Sequence, residues 1–228
     1  MSTDPSSTPT TTDDAVVIDT ANQKPPLQAT ADEIRKLYAV IEEQILPKTK
    51  QGVQEGNKVF GAAILNQEDW QCQICTTNAE TTCPIFHGEV HCIYQWSQQT
   101  PAAQRGTLAQ SSIFLSTHEP CCMCISSILW AGFPTVYYFF PYSVTSAQGI
   151  PHDIQTLHEL WGVTTYRKQN KYLSTACLMD LVEQLPEGSI EQQELQATQT
   201  RLLQAYDQLA NQYHSEKASN PQNSLVLG

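Results

Sequence analysis

The chain predicts an α/β fold in which helices pack on the faces of a mixed sheet. Three observations carry this. Short runs rich in β-branched and aromatic residues alternate with longer amphipathic stretches, the pattern of strands spaced by helices. The first two strand runs are joined by a four-residue turn and read as a hairpin, whereas the later ones are separated by helices, which opens parallel pairing to them. A length of 228 residues with 40% apolar content suits one domain with tails.

The elements follow in order. Residues 1–29 are rich in Ser, Thr, Asp and Pro, with little to bury, and predict a disordered tail. A domain is expected over 30–185. It opens with a helix from Ala31 to about Lys50, where Ile34, Leu37, Tyr38, Ile41 and Ile45 recur at helical spacing. Thr30 and Glu33 form a capping box at its start, and Pro47 is expected to end or bend it. Val59–Leu65 reads as a buried strand, 66–69 as a turn and Trp70–Thr76 as the returning strand. Pro84–Gln98 reads as a helix and Ser112–Ser116 as the third strand. A helix over Cys121–Trp130 has Pro120 at its N-terminal edge, where a missing N–H costs nothing, and Gly132 as its stop. Val136–Phe140 is the fourth strand, Ile154–Trp161 a short helix, Val163–Arg167 a fifth strand and Leu178–Leu185 another short helix. Residues 186–214 predict an amphipathic helix, with Leu195, Leu202, Leu203, Tyr206 and Leu209 at three- and four-residue steps. Residues 215–228 predict a second disordered tail.

Charge and composition exclude several roles. The net charge is −11. Between Gly56 and Thr175, five Lys/Arg stand against seven Asp/Glu, a net of −2, which leaves −9 for the flanks. Neither part shows the basic stripe that phosphate-backbone binding needs, so a nucleic-acid partner is disfavoured. No apolar run approaches the ~18 residues of a membrane span, and the N-terminus lacks the basic and apolar regions of a secretory signal. A cytoplasmic location is expected. Eight cysteines in such a chain favour metal binding over a disulfide framework.

The chemistry concentrates in two stretches. Phe86-His87-Gly88-Glu89 supplies H-x-E, and Glu119-Pro120-Cys121-Cys122-Met123-Cys124 supplies P-C-x-x-C. Together they form the signature of a zinc deaminase: one His and two Cys on Zn²⁺ and a Glu that is not a ligand. His87, Cys121 and Cys124 are the expected ligands, leaving the fourth position open. The start of a helix adds positive potential near the two cysteines, which favours thiolate. Zinc held this way lowers the pKa of water from ~15.7 to roughly 7. Glu89 would take a proton from that water, pass it to a ring nitrogen and then protonate the leaving amine. Rival ligands fit less well. His91 lies four residues from His87, but Glu89 is misplaced for H-E-x-x-H, so His91 reads as a helix-face residue. Cys122 points away. Cys72 and Cys75 form another C-x-x-C, but on a strand these positions face opposite sides. Cys83, Cys92 and Cys177 read as buried thiols.

At these residues the sequence resembles the cytidine-deaminase-like superfamily, over roughly Ala31 to Leu185. That superfamily includes cytosine, cytidine, deoxycytidylate, guanine, tRNA adenosine and polynucleotide cytidine deaminases. The resemblance implies a three-layer α/β/α fold around a mixed five-stranded sheet, and hydrolytic loss of ammonia from an amino-substituted ring. It also implies a homodimer. His87-Gly88-Glu89 resembles the free-base cytosine deaminases, whereas Glu119-Pro120-Cys121 resembles the guanine and tRNA adenosine deaminases. Asn78 resembles the Asn that reads the substrate ring, and backbone N–H groups at Gly88 and Cys121 would help position the attacked centre. Glu119 would hold either a substrate amino group or a neighbouring backbone N–H. Phe60 and Phe86 flank the expected pocket, where they stack on a planar ring or serve as core. His118 faces the pocket or sits on its loop. Trp130, Tyr137, Phe139, Phe140 and Tyr142 read as core or subunit interface.

The first reading is therefore a zinc-dependent deaminase of a small nucleobase or nucleoside, with a guanine-like ring slightly favoured over a cytosine-like one. The alternatives are a tRNA adenosine deaminase, alone or as a subunit, and a non-catalytic zinc-bearing scaffold. The chain's acidity opposes the first of these. Glu89, which a structural site does not need, opposes the second.

Overall fold

The computed structural model describes residues 22–220. Its elements are α1 (Ala31–Ala39), a π-helical turn (Val40–Ile45), α2 (Leu46–Gln54), β1 (Gly61–Asn66), β2 (Cys72–Thr77), α3 (Gly88–Gln99), α4 (Arg105–Gln110), β3 (Ser112–His118), α5 (Cys122–Ala131), β4 (Thr135–Phe140), α6 (Tyr142–Ala147), α7 (His152–Trp161), β5 (Ser174–Cys177), α8 (Leu178–Glu183) and α9 (Ile190–Glu216). The strands make one five-stranded sheet in the order β2-β1-β3-β4-β5. β1 runs antiparallel to β2 and β3, and β3, β4 and β5 run parallel, so the sheet is mixed. Side-chain alternation along β1 sends Ala63 and Leu65 to one face and Ala62 and Ile64 to the other. The first face is covered by α1, α2, α8 and α9 through residues such as Ile34, Val53, Leu181 and Leu202. The second is covered by α3 and α5 through Cys92, Trp96, Ile125 and Ile128. This is the expected three-layer α/β/α arrangement. Among the described residues, no helix is long and apolar enough to cross a membrane.

Several elements differ from expectation, each for a local reason. Pro47 does not end the first helix. The backbone widens into a π turn just before it, with the Leu46 N–H bonded to Ile41 O five residues back. The wider turn accommodates the proline ring, and Pro47 falls in the first turn of α2, where its missing N–H matters least. The Thr30–Glu33 capping box is present. Residues 163–167 form no strand. The fifth strand is Ser174–Cys177, four residues without an apolar run to announce it. β2 carries a register irregularity opposite Ile64 and Leu65, where Ile74 and Cys72 are paired across Gln73. That bulge breaks the two-residue alternation. Cys72 and Cys75 therefore pack against the same core cluster instead of facing opposite sides.

The chain ends also bear on the packing. Leu195, Leu202, Tyr206 and Leu209 of α9 are buried in the same cluster as β1 and β4. Within the stretch 1–29, residues 22–29 are bound to the body. Lys24 N–H donates to Asn170 O at 3.0 Å, Ser174 Oγ to Pro25 O at 2.7 Å, and the Tyr137 hydroxyl to Gln28 O at 2.9 Å. The disorder expected for 1–21 and 221–228 lies outside the described residues. Tyr137, Phe139, Phe140 and Tyr142 are core, whereas Trp130 is 87% exposed. Cys83 is only partly buried.

Candidate metal centre and active-site cavity

Two helix starts build the site. The helix expected from Pro84 begins only at Gly88, because residues 79–87 close into turns, with Ala79 N–H on Phe86 O and Phe86 N–H on Cys83 O. His87 is thereby the N-cap of α3, and Glu89 lies in its first turn. On the other side, β3 leads through Glu119 and Pro120 to Cys121, the N-cap of α5, with Cys124 in that helix's first turn. Gly132 stops α5 in the left-handed region at φ 92°.

His87, Cys121 and Cys124 each offer one ligand atom, and these atoms lie within 4.8 Å of one another. His87 Nδ1 stands 3.6 Å from Cys121 Sγ. Tetrahedral zinc with bonds of ~2.3 Å to sulfur and ~2.1 Å to nitrogen needs an N···S edge of about 3.6 Å. The donor set and its spacing fit zinc. Burial pushes the His87 imidazole below its ordinary value despite the Glu80 carboxylate nearby, which leaves a neutral ring with a free lone pair. Burial also pushes the Cys124 thiol up to about 12, outweighing the thiolate-favouring potential expected from the helix start. Metal binding here must displace thiol protons.

Glu89 is 4% exposed and outside the ligand group. Ser116 Oγ donates to its Oε1 at 2.9 Å, and its carboxylate also contacts Cys124. Beside the group opens a cavity of about 260 Å³, walled by Phe60, Ile85, Met123 and Ile150 and edged by Lys58, His152, Asp153 and Thr156. Its size falls just under the roughly 300–1,000 Å³ of drug-sized sites, which suits a ligand of one or two rings. Asp153, in the first turn of α7, is 7% exposed. Burial, with the Glu89 charge adding to it, pushes its carboxyl up to about 8.

The structure brings together His87, Cys121, Cys124, Glu89 and Phe60. Four other expected contacts lie off this cavity. Gly88 gives its N–H to Asn78 Oδ1 at 2.5 Å, and neither residue lines the cavity. Glu119 is taken up by the Lys168 ammonium and by the Tyr142 N–H at 3.2 Å. Phe86 stacks on His91 at 5.4 Å and meets the Tyr94 ring at a tilt, 5.2 Å away. His118 is buried away from the cavity, where it bonds Thr117 Oγ1 at 3.0 Å and Gln148 Oε1 at 3.1 Å. His91 Nδ1 bonds Thr77 O at 2.8 Å and is no ligand. Cys122 stays outside the ligand group but lines the cavity, with its thiol 3.6 Å from Thr156 Oγ1. Sequence reasoning missed Lys58, Glu80, Ser116 and Asp153. The one available signal was that Lys58 interrupts the approach to a buried strand.

A mixed sheet that joins one imidazole and two thiols at two helix starts, with a carboxylate beside them but outside the group, defines a zinc deaminase site. Residues 38–140 match the family described as the cytidine and deoxycytidylate deaminase zinc-binding region. That match takes in both motifs, and zinc is the cofactor that the matched region and the His87, Cys121 and Cys124 group fit. Among solved structures, it is similar to guanine deaminase from Bacillus subtilis, at 25% identity over 55% of this chain and 81% of that one, with a TM-score of 0.44. It is also similar to guanine deaminase from Nitrosomonas europaea, at 17% identity over 79% and 90%, with a TM-score of 0.44. A structure from studies of A-to-I editing by tRNA:A34 deaminases is similar at 18% identity over 50% and 78%, with a TM-score of 0.36. No curated protein shows a significant match to the sequence.

Proposed function

We propose that the chain hydrolyses an amino-substituted ring of a small nucleobase or nucleoside, replacing the ring amine with a carbonyl and releasing ammonia. The observation that carries this is a one- or two-ring cavity with the His87–Cys121–Cys124 group at its side and Glu89 next to that group. Those three residues would hold zinc, which when bound supplies the Lewis acidity that makes water a nucleophile near neutral pH. Glu89 accepts the proton of the attacking water, delivers it to the ring nitrogen, and then protonates the departing amine. The Ser116 hydroxyl, shared with His118 O at 2.7 Å, stands 2.9 Å from one carboxylate oxygen of Glu89. Phe60 offers an aromatic face to the ring. Asp153 offers a carboxyl that both donates and accepts at the ring's polar edge. Two features favour a guanine-like ring: the Glu119-Pro120-Cys121 pattern and a cavity with room for a fused pair.

The test is ammonia release from a panel of free bases and nucleosides, with Glu89→Gln as the control. Glu89→Gln should keep one zinc per chain and lose about 100- to 10,000-fold in rate. A variant as active as the parent refutes the role of Glu89. Deamination of a tRNA but of no small ring refutes the substrate class.

A further inference from the structure

Glu80 is a buried acid that the reaction leaves unused. It is 3% exposed and sits in the turns between β2 and α3. Both of its oxygens are occupied. Oε1 lies 3.0 Å from Lys58 Nζ and 3.5 Å from His87 Nε2. Oε2 accepts from the Lys58 N–H at 3.3 Å and from Asn78 Nδ2 at 2.8 Å. Lys58 is 5% exposed and Asn78 2%. Stability alone does not explain such a pair, because a well-packed apolar pair in its place is often as stable or more so. Its placement does. The carboxylate ties together the approach to β1, the end of β2 and the N-cap of α3. Asn78 extends the tie to the Gly88 N–H. With Nε2 facing the carboxylate, the His87 ring turns Nδ1 toward Cys121 Sγ. In metal centres the imidazole nitrogen remote from the ion is commonly held by a carboxylate in this way, which fixes the tautomer and ring orientation.

We propose that Glu80, clamped by Lys58 and Asn78, is a positioning residue that favours the His87 tautomer protonated at Nε2, the nitrogen facing the carboxylate at 3.5 Å, and leaves Nδ1 for the metal. This rests on the zinc assignment made above. By the same bonds Asn78 belongs to the clamp.

The experiment is a competitive chelator titration of the full chain loaded with zinc, paired with a long-range ¹H–¹⁵N spectrum of the histidine rings. The parent should bind one zinc, His87→Ala should abolish that binding, and the His87 spectrum should show Nε2 protonated and Nδ1 on the ion. Glu80→Gln should bind zinc about 10- to 100-fold more weakly. Because Glu80→Gln leaves Lys58 buried without its counter-charge, Lys58→Met/Glu80→Leu serves as the variant that folds without a buried ion. It should show the same loss of affinity, with the His87 Nε2–H signal lost to exchange. Zinc affinities within threefold of the parent in both variants, or a parent spectrum with Nε2 on the ion, overturn the clamp while leaving the zinc assignment standing. A parent whose zinc binding ignores His87→Ala overturns the zinc assignment and the clamp with it.

Discussion

Gly88 stands between His87 and Glu89, and its missing side chain has a geometric reason. A Cβ there would lie 2.8 Å from Gly61 Cα, 3.0 Å from Gly61 N and 3.0 Å from Phe60 O. Carbon contacts settle at about 3.5–4.0 Å, and all three opposing atoms are backbone that cannot swing aside. In Gly88→Ala the start of α3 must therefore retreat from β1 by on the order of 0.5–1 Å. Overpacking of this kind costs about 1–3 kcal/mol. Alanine returns up to ~1 kcal/mol over glycine inside a helix, and less at the first helical residue. The clash wins, and the net effect is a loss of about 1–2 kcal/mol, read by urea unfolding. The same retreat carries His87 and Glu89 away from Cys121 and Cys124. A misplacement near 1 Å costs about 100-fold in rate. Zinc content and ammonia release measured on the same preparations read that second effect. A Gly88→Ala protein as stable as the parent, with full zinc and full activity, would show that the approach of α3 to β1 is not what demands glycine here.

Two further outcomes follow from buried titratable groups. Zinc binding to the stripped chain at pH 7 should release about two protons, because the Cys124 thiol sits at about 12 and the Cys121 thiol is also raised. Calorimetry in buffers of different ionisation enthalpy counts these protons, and a count of zero refutes thiols as the ligands. His118 is pushed down to about 3 by burial, although its bond to Gln148 pulls the other way. The folded chain thus refuses a proton that the unfolded chain accepts below its ordinary value of about 6.5. This contribution is fully present above pH 6.5 and is lost as pH falls toward 3, with a slope of about 1.4 kcal/mol per pH unit. Unfolding free energies at several pH values between 6.5 and 4.5 should show that slope in the parent and its removal in His118→Gln. Parallel slopes would overturn the reading.

The metal group was legible because its determinants are local. H-x-E and P-C-x-x-C each place their side chains at one helix start, and β3 leads directly into the second motif. The hairpin, β3, β4 and the two core helices were legible for the same reason, since hydrophobic period and turn residues act over a few positions. What escaped depends on partners distant in sequence. β5 is four residues long and is defined by its pairing with β4, not by its own composition. Pro47 reads as a helix end until the π turn before it accommodates the ring. Cys72 and Cys75 read as opposed until a bulge in β2, set by its register with β1, turns them to one side.

Most of the expected substrate contacts lie off the cavity for a sharper physical reason. Asn78, Gly88 and Glu119 are polar groups near the motifs, and a sequence offers no view of what else competes for them. In the fold, Asn78 is shared between Glu80 and Gly88, and Glu119 is held by Lys168 and the Tyr142 N–H. A buried polar group is satisfied by whichever partner the fold supplies, since leaving it unpaired costs about twice what one hydrogen bond contributes. Residues so engaged stabilise the walls of the site. The polar groups that edge the cavity come from Lys58 and from the first turns of α7, through His152, Asp153 and Thr156. No motif constrains α7. The metal group is thus written in two short segments around His87 and Cys121, while the polar edge of the cavity comes largely from a helix whose sequence carries no signature of its own.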